Sequence, residues 1–172
     1  MQFAKDSFYM VLRERLAVLN PERTVVRNGA TRPAVVVGEN EPTTSEMRQA
    51  NVFYIWWGGA RLAPHQAGAR RPGMALGCEI RYGTSGTTEG NVDRGRLLAA
   101  LDEELLGICH PGWAPKRDFT RTPTVDLGTN ILWSSPELEE AQSNGRASGA
   151  GEEFLEHQAK LTLFFFPEVE LS

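Results

Sequence analysis

Apolar residues near the start of the chain recur with a helical period. Phe8, Val11, Leu12, Leu16 and Leu19 fall on one side of a 3.6-residue repeat, which predicts an amphipathic helix over Ser7–Leu19. Asp6 or Ser7 offers a short side-chain oxygen to cap its first turn. Asn20-Pro21 ends it, because proline disfavours the helical conformation in the residue before it and has no N–H to continue the ladder. Val25-Val26 and Ala34-Val35-Val36-Val37 are short β-branched runs separated by Asn28-Gly29 and Arg32-Pro33, which predicts a hairpin or a pair of short strands.

Residues Gly38–Ser45, with Asn40, Pro42, Thr43 and Thr44, read as a loop. Asn51–Trp57 is the clearest strand, rich in aromatic and β-branched residues. From Met74 to Tyr82, Leu76, Cys78, Ile80 and Tyr82 alternate with Gly77, Glu79 and Arg81, the period of a half-buried strand. A Gly/Thr turn over Thr84–Asn91 leads into a second helix. Its apolar stripe is Leu97, Leu98, Leu101, Leu105 and Ile108, while Asp102, Glu103 and Glu104 are expected to face water. His110-Pro111-Gly112 stops that helix. Val125, Leu127, Thr129 and Ile131 alternate in a strand ending near Trp133, and His157–Phe166 closes the chain with Ala159, Leu161, Leu163 and Phe165 on one face. The other face of this last strand carries Phe164 and Phe166 as well as polar residues, which suits a central or covered strand.

The order helix, strands, helix, strands predicts an α+β domain: a mixed or mainly antiparallel sheet of about four to five strands packed against two main helices. A chain of 172 residues with 41% hydrophobic and 23% charged residues fits one globular domain over 1–172. Flexible loops are expected at about 58–73 and 134–156. The first has Arg61, His65, Arg70 and Arg71 but no acid, and the second is dominated by Ser, Glu and Gly.

Charge narrows the function classes. A formal net charge of -4 gives no general footprint for nucleic acid or membrane surfaces, so any basic patch is local. Charges through Lys5, Asp6, Arg13, Glu14 and Arg15 interrupt the apolar core a signal peptide needs, so the N-terminus is expected to stay on the mature protein. Leu161–Phe166 is far shorter than the roughly 20 residues of a membrane-spanning helix. Only two cysteines, Cys78 and Cys109, fall in separate elements, which fits a reducing compartment better than a disulfide framework.

The candidate chemistry is sparse. Gly83-Thr84-Ser85-Gly86-Thr87-Thr88-Glu89-Gly90, between a strand and a helix, could cradle an anion. It lacks the lysine of a P-loop and the spacing of a dinucleotide site, so a flexible turn is favoured. Cys109-His110 lacks a third ligand or an orienting partner, which favours a partly buried cysteine beside a helix-end histidine over catalysis or metal binding. Asp102, Glu103 and Glu104 splay around a helix and do not converge on one atom. No cofactor or metal is implied. Trp56 and Trp57 alternate across a strand, so one ring can enter the core while the other serves as an interface anchor or, on at least equal terms, packs in the core or under a covering loop. Arg61, Arg70 and Arg71 could touch DNA phosphates, pair with acids on a neighbouring subunit, or stay solvated.

The helix Ser7–Leu19, the strand Arg32-Pro33-Ala34-Val35-Val36-Val37, the long hairpin from Val52 to Tyr82, the helix through Arg94-Gly95-Arg96-Leu97-Leu98-Ala99-Ala100-Leu101-Asp102 and two late strands form a layout over most of the chain. This layout resembles that of tail terminator proteins of tailed bacteriophages, also called minor tail protein U. The resemblance implies a virion structural subunit, assembled in the host cytoplasm. It would form a homo-oligomeric ring, usually a hexamer, that caps the tail tube and meets head-completion proteins, with DNA passing passively through it. It implies no catalytic residue, cofactor or membrane contact. Another neck or connector subunit is an alternative, and an enzyme using the 83–90 turn with Cys109 or His110 is a third reading from a different class.

Overall fold

The computed structural model describes residues 1–39, 49–63, 73–85, 92–140 and 154–167. Helix α1 spans Gln2–Leu19 and starts five residues earlier than the apolar period indicated. Met1 is its N-cap and makes no side-chain capping bond. Ser7, expected as a cap, is buried inside the helix, where its hydroxyl donates to the Phe3 carbonyl at 2.6 Å. The same oxygen accepts the Arg117 backbone N–H at 2.9 Å, so it ties the helix to a strand beneath it. Asn20 ends α1 as expected.

Strands β1 (Thr24–Arg27) and β2 (Ala30–Pro33) form a separate two-stranded hairpin. Asn28 and Gly29 have φ of 52° and 77°, the left-handed pair that a tight hairpin turn demands. The partner of Val25-Val26 is therefore Thr31-Arg32 and not the valine run. That run is β3 (Val35–Val37), fully buried and paired in parallel with β4 (Phe53–Leu62) in the main sheet.

The sheet is mostly antiparallel and curled. It continues through β5 (Met74–Ser85), β6 (Gly112–Asp118), β7 (Val125–Trp133), β8 (Glu137–Glu140) and β9 (Phe154–Phe165) in the spatial order β3-β4-β5-β9-β7-β6, with β8 pairing β9 beside β7. Seven strands thus stand where four to five were expected. Two of the extra ones, β6 and β8, lie in stretches with no alternating apolar pattern. β4 also runs through Leu62, so Gly58–Leu62, expected as the start of a loop, is strand. Two residues, Gly58 and Gly59, sit across from Gly77 where the register shifts, as in a β-bulge. Residues 64–72 and 141–153 of the two expected loops, and 86–91 of the Gly/Thr turn, lie outside the described residues.

Helix α2 spans Val92–Ile108. Leu98, Leu101, Leu105 and Ile108 are buried, but Leu97 is exposed, so the inward stripe is narrower than the apolar pattern. Both helices pack on one face of the sheet. Phe8 of α1 meets Trp57 and Trp133 edge-on, at 6.1 and 5.4 Å between ring centroids. Arg15 joins the helices by donating to the Ile108 and His110 carbonyls at 3.0 and 2.9 Å, and its guanidinium covers Trp133 at 5.0 Å. The end of a helix leaves its last carbonyls without intrahelical partners, and Arg15 supplies a donor there, joined at the His110 carbonyl by the Trp133 indole N–H at 2.9 Å.

Glu104 does not face water. It accepts two bonds from Arg23 (2.5 and 2.8 Å) and one from Asn20 (2.7 Å), clamping the end of α1 to α2. Burial disfavours its charged form, but the hydrogen bonds from Arg23 and Asn20 and the Arg23 charge prevail and hold the carboxyl below the ordinary glutamate range. A folded-state pKa below the unfolded one stabilises above the unfolded value, and the gain disappears as pH falls through the folded value. Glu104→Gln is therefore expected to lose about 1–2 kcal/mol at neutral pH. In urea unfolding, the gap between wild type and variant should close below about pH 4; a gap insensitive to acid would refute this account.

Candidate functional site

Directly paired residues on neighbouring strands point to the same face, so the register divides the sheet into two surfaces. The helix-covered face takes Phe53, Ile55 and Trp57 from β4, Leu76, Cys78, Ile80 and Tyr82 from β5, and Ala159, Leu161, Leu163 and Phe165 from β9. Most of these are fully buried. No described helix covers the opposite face, which is the candidate site.

That open face is arranged in rows running across the strands. One row is Tyr54–Arg81–Gln158–Glu139, in which Tyr54 is itself buried with its hydroxyl bonded by Arg27 and the Gln49 N–H, and the next is Trp56–Glu79–Lys160–Glu137. Within them Arg81 pairs with Glu79, and Glu139 accepts from Lys160 at 2.6 Å and Gln158 at 2.9 Å. A row of small residues follows, with Gly58 and Gly59 opposite Gly77 and then Thr162. Thr162 exchanges hydrogen bonds with Ser134. The last row is apolar beyond its first member: Arg61, Ala75, Phe164, Leu132 and Trp113, in register through β4, β5, β9, β7 and β6. Where the small residues meet the charged rows, an open cleft of about 670 Å³ forms, walled by Trp56, Arg61, Arg81 and Lys160.

Trp56 and Trp57 do alternate across β4, and both end partly buried. Trp57 lies on the helix side, beneath Phe8 and with Lys5 Nζ 5.3 Å from its ring centroid. Trp56 lies on the open side against Gly38, where a Cβ would come within 2.6 Å of the indole, so no larger residue fits there. Arg61 projects from the open face as a strand residue and not as a loop residue. It has no hydrogen-bond or ion-pair partner among the described residues. Arg70 and Arg71 lie outside the described residues.

Cys109 and His110 do not form a reactive pair. The cysteine is fully buried, more so than expected, and burial pushes its thiol up to about 12 against a smaller opposite pull from Arg15. His110 is exposed, with Nδ1 2.9 Å from the Pro111 carbonyl oxygen. Burial also raises the Cys78 thiol well above its ordinary value, and both cysteines are free. Among the described residues, no group of three or more His, Cys, Asp or Glu is placed to hold a metal ion, and no helix is long and apolar enough to cross a membrane.

The pattern of apolar residues gave no notice of a polar cluster between α2 and the sheet. Asp102, expected in water, accepts from the Tyr82 hydroxyl at 2.6 Å and meets His157 Nδ1 at 3.0 Å. Burial, followed by the Asp102 hydrogen bond and charge, raises the Tyr82 phenol well above its ordinary value, so it remains a donor. Asp102 orients the imidazole, but no described hydroxyl or thiol bonds to its other nitrogen, so the cluster works as a strap from helix to sheet. A signal for it did exist: His157 occupies the same period-two face as Ala159, Leu161 and Leu163, where a polar group needs a partner.

Two outcomes follow from these environments. A chromogenic disulfide reagent should leave both thiols of the native protein unmodified over minutes and titrate two per chain in denaturant; rapid native modification at Cys109 would revive the reactive-cysteine reading. Asp102→Ala should cost about 1–3 kcal/mol in urea unfolding, because it strands the Tyr82 hydroxyl and the His157 ring together. A neutral effect would show the cluster to be solvated.

The chain matches no protein-family model and no curated protein sequence.

Proposed function

We propose that the chain is a structural subunit of a phage tail or tail-like particle, forming a ring that terminates the tail tube and joins it to the head-completion region. The observation that carries this reading is the exposed pair Trp113 and Leu132, continued in register by the half-buried Phe164, on a sheet face that no described helix covers. Clustered apolar side chains rimmed by polar ones mark surfaces used for association. Tryptophan in particular is enriched among the residues that dominate interface energetics.

The element order supports the same reading. An N-terminal helix, short strands, the β4–β5 hairpin, a second helix and late strands are the features that resemble tail terminators. The mechanism is geometric: one contact repeated with a closing rotation makes a ring, whose two ends then meet different partners. Trp56 and Arg61 stand on the open face as contact residues, and Arg61 suits a lumen through which DNA passes, since a solvated guanidinium can meet phosphates without sequence preference. The reading that joins the 83–90 turn to Cys109 or His110 finds no support at the cysteine, whose thiol is buried and protonated.

Light scattering coupled to size exclusion tests the reading. The purified chain at tens of micromolar is expected to give a discrete mass near six times its 19.0 kDa, and to co-sediment with tail tubes. A monomer across the whole concentration series that also fails to bind tubes would overturn it.

A further inference from the structure

A ring built by repeating one contact needs two different surfaces on each chain, because the contact is heterologous. The described surface carries two that match. The first is the ridge on the open sheet face, where Trp113 and Leu132 are 64% and 51% exposed and Phe164 stands next in register. The second is a groove of about 600 Å³ where the C-terminal ends of α1 and α2 meet, lined by Val18, Leu19, Gly107 and Ile108 together with Glu14, His110 and Arg15, whose guanidinium is already committed to the Ile108 and His110 carbonyls. Val18 and Leu19 are 85% and 52% exposed and adjoin in the groove, so its mouth is apolar.

Charge matches as well as shape. Burial alternates along β6, so Arg117 points to the same side as Trp113, and its side chain is exposed. Glu14 lies one helical turn before Val18 and is also exposed. Neither the Arg117 guanidinium nor the Glu14 carboxylate has an ion-pair or hydrogen-bond partner among the described residues. Asp126, opposite Arg117 in register, instead accepts the Gly128 N–H at 2.8 Å. Trp113 and Arg117 are separated by roughly 13 Å along a strand, and Val18 and Glu14 by roughly 6 Å along a helix. The two long charged side chains can span that difference.

Resting on the ring reading above, we propose that the ridge of one copy docks into the α1–α2 groove of the next, with Trp113 against Val18 and Leu19 and Arg117 paired with Glu14. The occupant of each surface is a second copy of this chain, since apolar shape and opposite charge are complementary between two places on the same molecule. Trp113 supplies the buried anchor, and the Arg117–Glu14 pair fixes the register of the contact.

Charge reversal tests this, because both charged residues are exposed and their replacement leaves the core intact. Arg117→Glu and Glu14→Arg, each alone, are expected to raise the dissociation constant of the ring about tenfold or more, seen by light scattering as a fall in mass at fixed concentration. The chain carrying both substitutions should recover the wild-type mass, which also proves that the single variants fail by repulsion and not by misfolding. Trp113→Ser should give a folded monomer with an unchanged circular dichroism spectrum. If the wild type forms a ring and both charge reversals leave it whole, the ridge–groove contact is wrong while the ring reading stands. If charge-swap recovery occurs in a particle of only two chains, the contact is a two-fold one and the head-to-tail inference is overturned. A wild type monomeric throughout, with or without tail tubes, would overturn the ring reading and this contact with it.

Discussion

The pairing of β9 with β5 is the constraint on which the rest of the structure depends. Met74–Ser85 and Phe154–Phe165 lie antiparallel over their full lengths, although a helix and three strands separate them in the chain. That pairing places Leu76, Cys78 and Ile80 beside Leu163, Leu161 and Ala159, which makes the floor on which both helices pack. It also makes β9 the hub for β7 and β8 on its other edge. Contacts so distant in sequence reward the chain only after a long loop has closed, and both helices depend on this floor for their burial.

A shift of one residue in this register would turn Leu161 and Leu163 outward and bring Lys160 and Thr162 into the core. Three features oppose it. The alternation holds through the middle of both strands, from Leu76 to Tyr82 and from Ala159 to Leu163, Tyr82 and His157 must both reach Asp102, and Thr162 must meet Ser134 through two hydrogen bonds. The polar strap between α2 and the sheet therefore specifies alignment in a way that apolar packing alone does not. Burying polar groups is costly unless each is satisfied, so the cluster penalises misaligned structures more than it stabilises the native one.

Elements that bury a regular stripe were legible from the sequence. α1, α2, β5 and β9 each show their period, and Asn28-Gly29 announces its turn with chemistry that few other dipeptides supply. β6 and β8 were not legible, for different reasons. β8 is an edge strand of the sequence Glu-Leu-Glu-Glu, whose charge suits an unpaired edge but hides its strand character. In β6 the inward positions are Ala114, Lys116 and Asp118, so the face that should be apolar is largely polar. The open face was only partly legible. The alternation of Trp56 and Trp57 could be read from one strand, but the row from Phe164 through Leu132 to Trp113 exists only across three strands. No local pattern contains that information.

The polar interior of β6 bears on what its outer face can do. Lys116 is buried, and its ammonium donates to the Phe166 carbonyl at 2.6 Å, while burial lowers its pKa. Asp118 receives the Thr120 N–H and hydroxyl at 2.9 and 2.6 Å, and the Arg117 N–H goes to Ser7 of α1. An edge strand held by directional bonds to a helix, to its own turn and to the end of β9 has little freedom left to lose. Ordering flexible side chains and backbone is among the main costs of association. A tryptophan carried outward on so fixed a strand presents its surface already in place, whereas the same residue on a loop would first have to be ordered. The bonds that obscured β6 in the sequence are thus the ones that make its exposed face a defined surface.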